Sequence, residues 1–304
     1  MTITIIGSGK VGASVALNCG IRDLDDLLLI DIIQGLPQGE AMDINHQLSE
    51  MGIDRLVSGS NNYADMSNSD IVVLVAGLGR KPGMTRMDLL QTNANIVREV
   101  SRKVASYARN AILIVVTNPL DPMTYLALKT TGMPKDKVMG MGGLLDLSRF
   151  KSFIRERTHI SSESIHAMVI SEHGENMLPL IRFSCIGGIP LNYFITDDIQ
   201  SGIFENTRKA GADLIALKGA TIYAPGNAVA TMVEAIVKDK KSLIPVSAPL
   251  DGEYGANNIC IGVPVILGEK GIERIIELKL NSLELEIFQR GIKSVSEAIK
   301  AIIP

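Results

Sequence analysis

A chain of 304 residues is long for one hydrophobic core, so two domains or one large α/β unit are expected. Its hydrophobic fraction of 46% and positive mean hydropathy allow a large core of aliphatic residues and 13 methionines, since aromatics reach only 4% and tryptophan is absent. A formal charge of −3 and a pI near 5.9 exclude the basic field that nucleic-acid binding needs, and the longest apolar runs, 71–76 and 111–116, are strand-sized and too short to span a membrane. The opening residues enter a glycine-rich turn at once, unlike a signal peptide. Cys19, Cys185 and Cys260 are odd in number, widely spaced and in apolar contexts, which predicts buried inert thiols, no metal set and a cytoplasmic setting.

In chain order, residues 2–6 form a short β-branched run that breaks into Gly7-Ser8-Gly9-Lys10-Val11-Gly12, and an amphipathic stretch follows over 11–19. This predicts strand, glycine turn and helix. Gly7 would make the tight turn, Gly9 would let the backbone approach a pyrophosphate, and Gly12 would let the helix pack closely on the strand. The helix start then offers unpaired N–H groups and a positive dipole end to an anion. The next strand, 27–30, ends on Asp31, at the spacing where a carboxylate accepts hydrogen bonds from both ribose hydroxyls of an adenosine and repels a 2′-phosphate. NAD is therefore favoured over NADP.

A helix over 39–50, a short strand over 55–59, a helical stretch before Asp70 and a buried strand over 71–76 come next. The loop 77–87 is rich in glycine and cations. A long helix over 87–109 leads to a second buried strand, 111–117, that ends in Asn118-Pro119. A helix over 120–130 and a brief strand over 138–141 complete a run of alternating strands and helices, which implies right-handed crossovers and a doubly wound parallel sheet. From residue 142 the pattern changes: a helix over 144–157, an antiparallel strand over 164–170, a hairpin at Gly187-Gly188, helices over 197–218 and 228–239, strands over 243–267 and a final amphipathic helix over 283–302. The expected class is α/β, with an N-terminal Rossmann domain over 1–141 followed by an α+β substrate domain over 142–304.

In an open α/β sheet the ligand lies beyond the carboxyl ends of the strands. Arg80, Lys81 and Arg86 in the cationic loop and Asn118 should therefore face the same crevice as the glycine turn. Asp146 and Arg149 share a helical face, and Glu172-His173-Gly174-Glu175 follows a strand. Taken singly, each has a plain reading. Loop cations are usually solvated, an aspartate in a first helical turn is favoured by the dipole, and a lone histidine is more often structural, as expected for His46, His159 and His166.

Six stretches in order weigh against the plain readings: GSGKVG at 7–12, AGLGRKPGMTR at 76–86, VVTNP at 115–119, LLDLSRF at 144–150, SEHGE at 171–175 and KGAT at 218–221. In these the chain resembles the lactate/malate dehydrogenase family, and specifically its lactate-dehydrogenase-like branch with malate-type substrate residues. The resemblance implies reversible, NAD-dependent hydride transfer between (S)-malate and oxaloacetate. His173 would be the acid/base, Asp146 would orient and stabilise its imidazolium, and Arg86 would polarise the C2 carbonyl. Arg149 would grip the C1 carboxylate with a bidentate pair, Arg80 would pair with the distal carboxylate, and Asn118 and Thr221 would complete the substrate site. Gly7, Ser8, Gly9, Lys10, Val11, Gly12, Asp31, Asn93 and Asn118 would form the cofactor site. Lactate-type members carry glutamine where this chain has Arg80, and an arginine buried without a partner disfavours pyruvate.

The chain departs from the family's Gly-Glu-His-Gly-Asp motif at Ser171 and Glu175, which bears on the backbone around the histidine. It also begins at the first strand, without the N-terminal arm that some lactate dehydrogenases use in assembly. A homotetramer is expected, with a dimer as fallback, along with a small dicarboxylate substrate, no nucleic-acid or membrane partner and a place in the tricarboxylic acid cycle. The loop 77–86 is expected to close as a lid that excludes water. A lactate or other 2-hydroxyacid dehydrogenase with the same machinery, and a non-catalytic NAD-binding sensor, stay open as alternatives.

Overall fold

The computed structural model of the chain describes residues 1–79 and 84–303. Its first half alternates strand and helix: β1 (Ile3–Ile6), α1 (Lys10–Ile21), β2 (Leu27–Ile30), α2 (Leu36–Glu50), β3 (Val57–Ser60), β4 (Ile71–Leu74), α3 (Arg86–Tyr107), β5 (Ile112–Val115), α4 (Leu120–Thr131) and β6 (Val138–Gly140). The strands lie in the order β3-β2-β1-β4-β5-β6, all parallel. That order reverses beside β1, where the connections leaving β1 and β4 part to opposite faces and open a crevice at the carboxyl ends.

Helices cover both faces, which explains why β1, β4 and β5 are buried at every position, and apolar throughout except for Thr4, rather than alternating. Successive residues still point to opposite sides. Ile3, Ile5, Ile71 and Val73 join one core, while Ile6, Val72 and Leu74 join the other. Each such side chain, fully buried, stabilises the fold by roughly 1.5–3 kcal/mol.

The second half comprises α5 (Gly142–Thr158), β7 (Ile165–His166), β8 (Val169–Ser171), β9 (Met177–Pro179), β10 (Cys185–Ile186), β11 (Ile189–Pro190), α6 (Asp197–Lys218), α7 (Tyr223–Val237), β12 (Ser242–Asp251), β13 (Asn257–Gly268), β14 (Gly271–Ile275) and α8 (Ser282–Ile302). Its long strands extend the parallel sheet. β12 pairs antiparallel with β6 through Ser247 and Gly140, β13, β8 and β9 follow, and β14 pairs off β13, giving one sheet of 11 strands among the described residues. Helix α7 returns to pack on α1, so closely that a Cβ on Gly226 would lie 2.1 Å from the Ser14 hydroxyl.

Four sequence expectations change. The strand expected over 164–170 is two strands in different sheets: β7 joins β10 and β11 in a small sheet, while β8 joins the main one. Alternation alone does not report that the chain changes partner between them. Helices α2 and α7 start earlier than expected because Pro37 and Pro225 lie in their first turns, where the missing N–H is harmless. Helix α5 begins at Gly142 rather than 144, which moves Asp146 from the first turn to the second. Both leading glycines are required by packing, since a Cβ would lie 2.5 Å from Leu120 at Gly142 and 2.9 Å from Pro245 at Gly143. Finally, His46, His159 and His166 are exposed rather than packed, and Cys185 is only half-buried, while Cys19 and Cys260 are in the core. Among the described residues, no helix is long and apolar enough to cross a membrane.

Candidate active site

At the carboxyl end of β1 the three glycines of the turn differ in what surrounds them. Gly7 has φ +103°, and a Cβ there would lie 2.6 Å from the Ala76 nitrogen. Gly12, inside α1, would press a Cβ to 1.8 Å from the Gly7 carbonyl oxygen. Gly9 caps α1 without a side chain, and a Cβ there would meet nothing within 4 Å. Thus Gly7 and Gly12 shape the turn, while Gly9 leaves open ground over the helix N-terminus. Lys10 is exposed and Val11 half-buried beside it. Asp31 closes the turn from β2: its carboxylate accepts from the Ser8 N–H at 2.7 Å and the Ile33 N–H at 3.0 Å. An open backbone cradle with a carboxylate at the next strand end fits a pyrophosphate and a ribose.

Asn93 and Asn118 meet at the ends of β4 and β5. The buried Asn93 amide donates to the Leu78 carbonyl at 3.1 Å and the Asn118 carbonyl at 2.6 Å, and accepts from the Leu78 N–H at 2.8 Å. These bonds tie the start of the cationic loop to the Asn118 backbone, and the Asn118 residue itself is exposed at the end of β5.

Farther along the sheet, His173 follows β8 and rests against α5, where a Cβ on Gly142 would come within 3.2 Å of the His173 Cβ. His173 Nδ1 lies 2.7 Å from Asp146 Oδ2, and Arg149 Nη1 donates to Asp146 Oδ1 at 3.2 Å. The aspartate is buried and the histidine 13% exposed. Burial lowers the imidazole pKa, but the charge and hydrogen bond of Asp146 outweigh it. The net direction is upward, with Arg149 opposing and Asp121 adding to the rise. Arg149 keeps its Nε buried without a hydrogen-bond partner among the described residues. A buried guanidinium donor left open beside an oriented histidine suits an incoming carboxylate.

Arg86 is the first residue of α3, under a capping box formed by Thr85 and Asp88. It is exposed, and its guanidinium is hydrogen-bonded to Glu175, two residues past the histidine. That pairing brings Arg86 to the histidine loop but engages it with protein, so facing a substrate requires exchanging this partner. Thr221 is half-buried in the link between α6 and α7. Arg80 lies outside the described residues, as do Lys81, Pro82 and Gly83 of the expected lid.

The description "lactate/malate dehydrogenase, NAD binding domain" matches residues 1–140, and "lactate/malate dehydrogenase, alpha/beta C-terminal domain" matches 144–303. The chain belongs to the lactate/malate dehydrogenase family. It is 43% identical to a malate dehydrogenase of Desulforudis audaxviator over 302 residues, 99% of this chain and 98% of that protein. The solved malate dehydrogenase of Aeropyrum pernix superposes with a TM-score of 0.95 at 43% identity, over 98% of this chain and 97% of that one. The lactate dehydrogenase of Cryptosporidium parvum, solved with lactic acid and nicotinamide adenine dinucleotide, superposes at 0.93 with 39% identity, over 99% and 97%.

Both departures from the family motif have structural consequences. Ser171 stands where the family has glycine and takes φ +75°, a left-handed conformation. Glu175 stands where the family has aspartate, and it is the residue that reaches Arg86. Asp121, which the sequence reading passed over, lies in the first turn of α4. It accepts from the His173 backbone N–H at 2.8 Å and the Ser247 hydroxyl at 2.6 Å. The signal available was a carboxylate three residues past Asn118 in an otherwise apolar stretch.

Proposed function

We propose that the protein is an NAD-dependent malate dehydrogenase that interconverts (S)-malate and oxaloacetate. The observation that carries the reading is the buried Asp146 carboxylate 2.7 Å from His173 Nδ1, beside an Arg149 whose Nε has no hydrogen-bond partner among the described residues. With its Nδ1–H donated to Asp146, the neutral imidazole presents Nε2 as the base for the C2 hydroxyl proton. In the reverse direction the imidazolium, favoured by Asp146, returns that proton. Arg149 holds the C1 carboxylate, Arg86 takes charge developing on the C2 oxygen after release from Glu175, and Arg80 pairs with the distal carboxylate.

NAD, when bound, supplies the acceptor for the hydride from C2. Residues 7–12 hold its pyrophosphate and Asp31 its ribose, with Asn118 at the reacting end and Asn93 fixing the Asn118 backbone. The break between the family matches, after 140 and before 144, supports a division at 141/142 between cofactor and substrate domains. A homo-oligomer, a tetramer with a dimer as the fallback, goes with this reading. The exposed Ile32, Ile33 and Met42 support a subunit contact. A cytoplasmic location and a role in the tricarboxylic acid cycle go with it as well.

A second reading, lactate dehydrogenase, draws on the likeness to the Cryptosporidium parvum enzyme. Following NADH absorbance with oxaloacetate and pyruvate separates the two. We expect oxaloacetate to be preferred by about 10³-fold or more, and Arg80→Gln to lower activity on oxaloacetate while raising it on pyruvate. An unchanged preference in Arg80→Gln removes Arg80 from this role. Absence of turnover on either acid leaves a nucleotide-binding protein without catalysis.

A further inference from the structure

We propose that Asp121 is a positioning residue that clamps the backbone of His173 and places a second negative charge beside it. The proposal rests on the reading of His173 as the proton carrier. Asp121 is 1% exposed, and both of its oxygens are engaged: Oδ2 by the His173 N–H and Oδ1 by the Ser247 hydroxyl. One carboxylate thus joins three separate elements, the start of α4, strand β12 and the loop after β8. It lies three residues past Asn118, so it couples the histidine directly to the end of β5, where the cofactor residues gather.

Hydrogen bonding alone does not require a charge here. An asparagine accepts the His173 N–H through its oxygen and donates its amide to the Ser247 oxygen, which satisfies the same partners. Burial works against the charged form and pushes the Asp121 pKa up to about 6, with the Ser247 and His173 bonds pulling the other way. A carboxylate retained where an amide of the same shape would be easier to bury has a use for its charge. That use is the imidazolium.

The charged groups acting on His173 are Asp146 and Arg149 from α5 and Asp121 from α4, while Glu172 beside it in the chain is bonded to Asn176 and Ser294. Those facing Asp121 are His173, Glu172 and the buried thiol of Cys260 on β13. Asp146 and Asp121 both favour the imidazolium, and Arg149 opposes it. Removing the Asp121 charge therefore lowers the imidazole pKa, and oxaloacetate reduction, which needs the protonated ring, is lost at a lower pH.

The test is the pH profile of kcat/KM for oxaloacetate reduction by full-length wild type, Asp121→Asn and Ser247→Ala. NADH affinity is measured alongside, and the His173 ring is titrated by NMR, with its resonance assigned by loss in His173→Asn. For Asp121→Asn we expect the alkaline limb to move toward acid. That shift lowers the rate about 3- to 10-fold at alkaline pH, while the acid plateau and NADH binding stay within about 2-fold. Ser247→Ala, which removes a bond favouring the ionised carboxylate, moves the limb the same way by less and serves if Asp121→Asn does not fold. A limb that coincides with wild type, whether or not the whole profile is scaled down, overturns the proposal. If wild type does not reduce oxaloacetate, the assigned activity fails and the NMR midpoint decides: lower in Asp121→Asn supports the clamp, and unchanged overturns it.

Discussion

Between Gly7 and Gly12 the crevice is built from backbone, whereas around His173 it is built from buried charge. The turn comes from consecutive residues of one strand–helix unit, and its limits are steric: a Cβ at Gly12 has 1.8 Å of room, while one at Gly9 has free space. The histidine site draws on α4, α5, β12 and the loop after β8, with Asp121, Asp146 and Arg149 held by hydrogen bonds rather than by shape. Substitutions at the first site should therefore act on folding or on nucleotide affinity. Those at the second should act on proton transfer and leave the nucleotide alone.

The largest effect that tests this contrast is at the ring itself. His173→Asn keeps a polar side chain of similar size but has no group that exchanges a proton near neutral pH. We expect kcat to fall by about 10²–10⁴-fold. NADH affinity, measured by fluorescence titration, should stay within about 2-fold, because the cradle lies on β1 and β2. A parallel loss of NADH binding would show that the two ends are not independent.

Within the glycine turn the contrast sharpens to two alanines three positions apart. Gly12→Ala forces a methyl group against the Gly7 carbonyl, and neither backbone segment can yield without opening the turn. The expected cost is about 3 kcal/mol of stability, read as a lowered melting temperature without ligand. Gly9→Ala meets no atom and has ordinary φ −67°, so it should cost only the loss of a glycine N-cap, about 1 kcal/mol or less. Its methyl group does occupy the approach to the helix N-terminus, and NADH should bind roughly 10-fold or more weakly. Equal melting temperatures for the two variants would break the argument that Gly12 is there for packing.

The same contrast explains what was legible in the sequence. A site made of consecutive backbone can be read directly, and the strand, turn, helix and Asp31 stand where spacing put them. The 27-residue separation of Asp146 and His173 carries no local pattern, so their pairing was expected only through resemblance to the family. Asp121 was missed for a related reason, since its partners His173 and Ser247 are 52 and 126 residues away. The division of 164–170 between two sheets was hidden because both strands share one period. Pro37 and Pro225 delayed the apparent starts of α2 and α7, because a proline stops a helix in its interior but is accepted in its first turn.

The smallest effect concerns Ser171, where a family glycine is replaced at the edge of the charged site. Its φ of +75° is comfortable for glycine and costs another residue about 1–2 kcal/mol. Its hydroxyl is buried without a hydrogen-bond partner among the described residues, a further penalty of about 1–3 kcal/mol. Against this, glycine adds freedom to the unfolded chain worth about 0.4–1 kcal/mol. It also leaves a small void facing Gly291, whose Cβ position is 2.3 Å from the serine oxygen. The penalties outweigh the offsets, so Ser171→Gly should stabilise the protein by about 1 kcal/mol, with kcat/KM within about 2-fold of wild type. The hydroxyl points toward α8, while the His173 ring is held from α5, so relief of strain at one leaves the other in place. A lower melting temperature for Ser171→Gly would instead mean that the serine fills the space left open at Gly291.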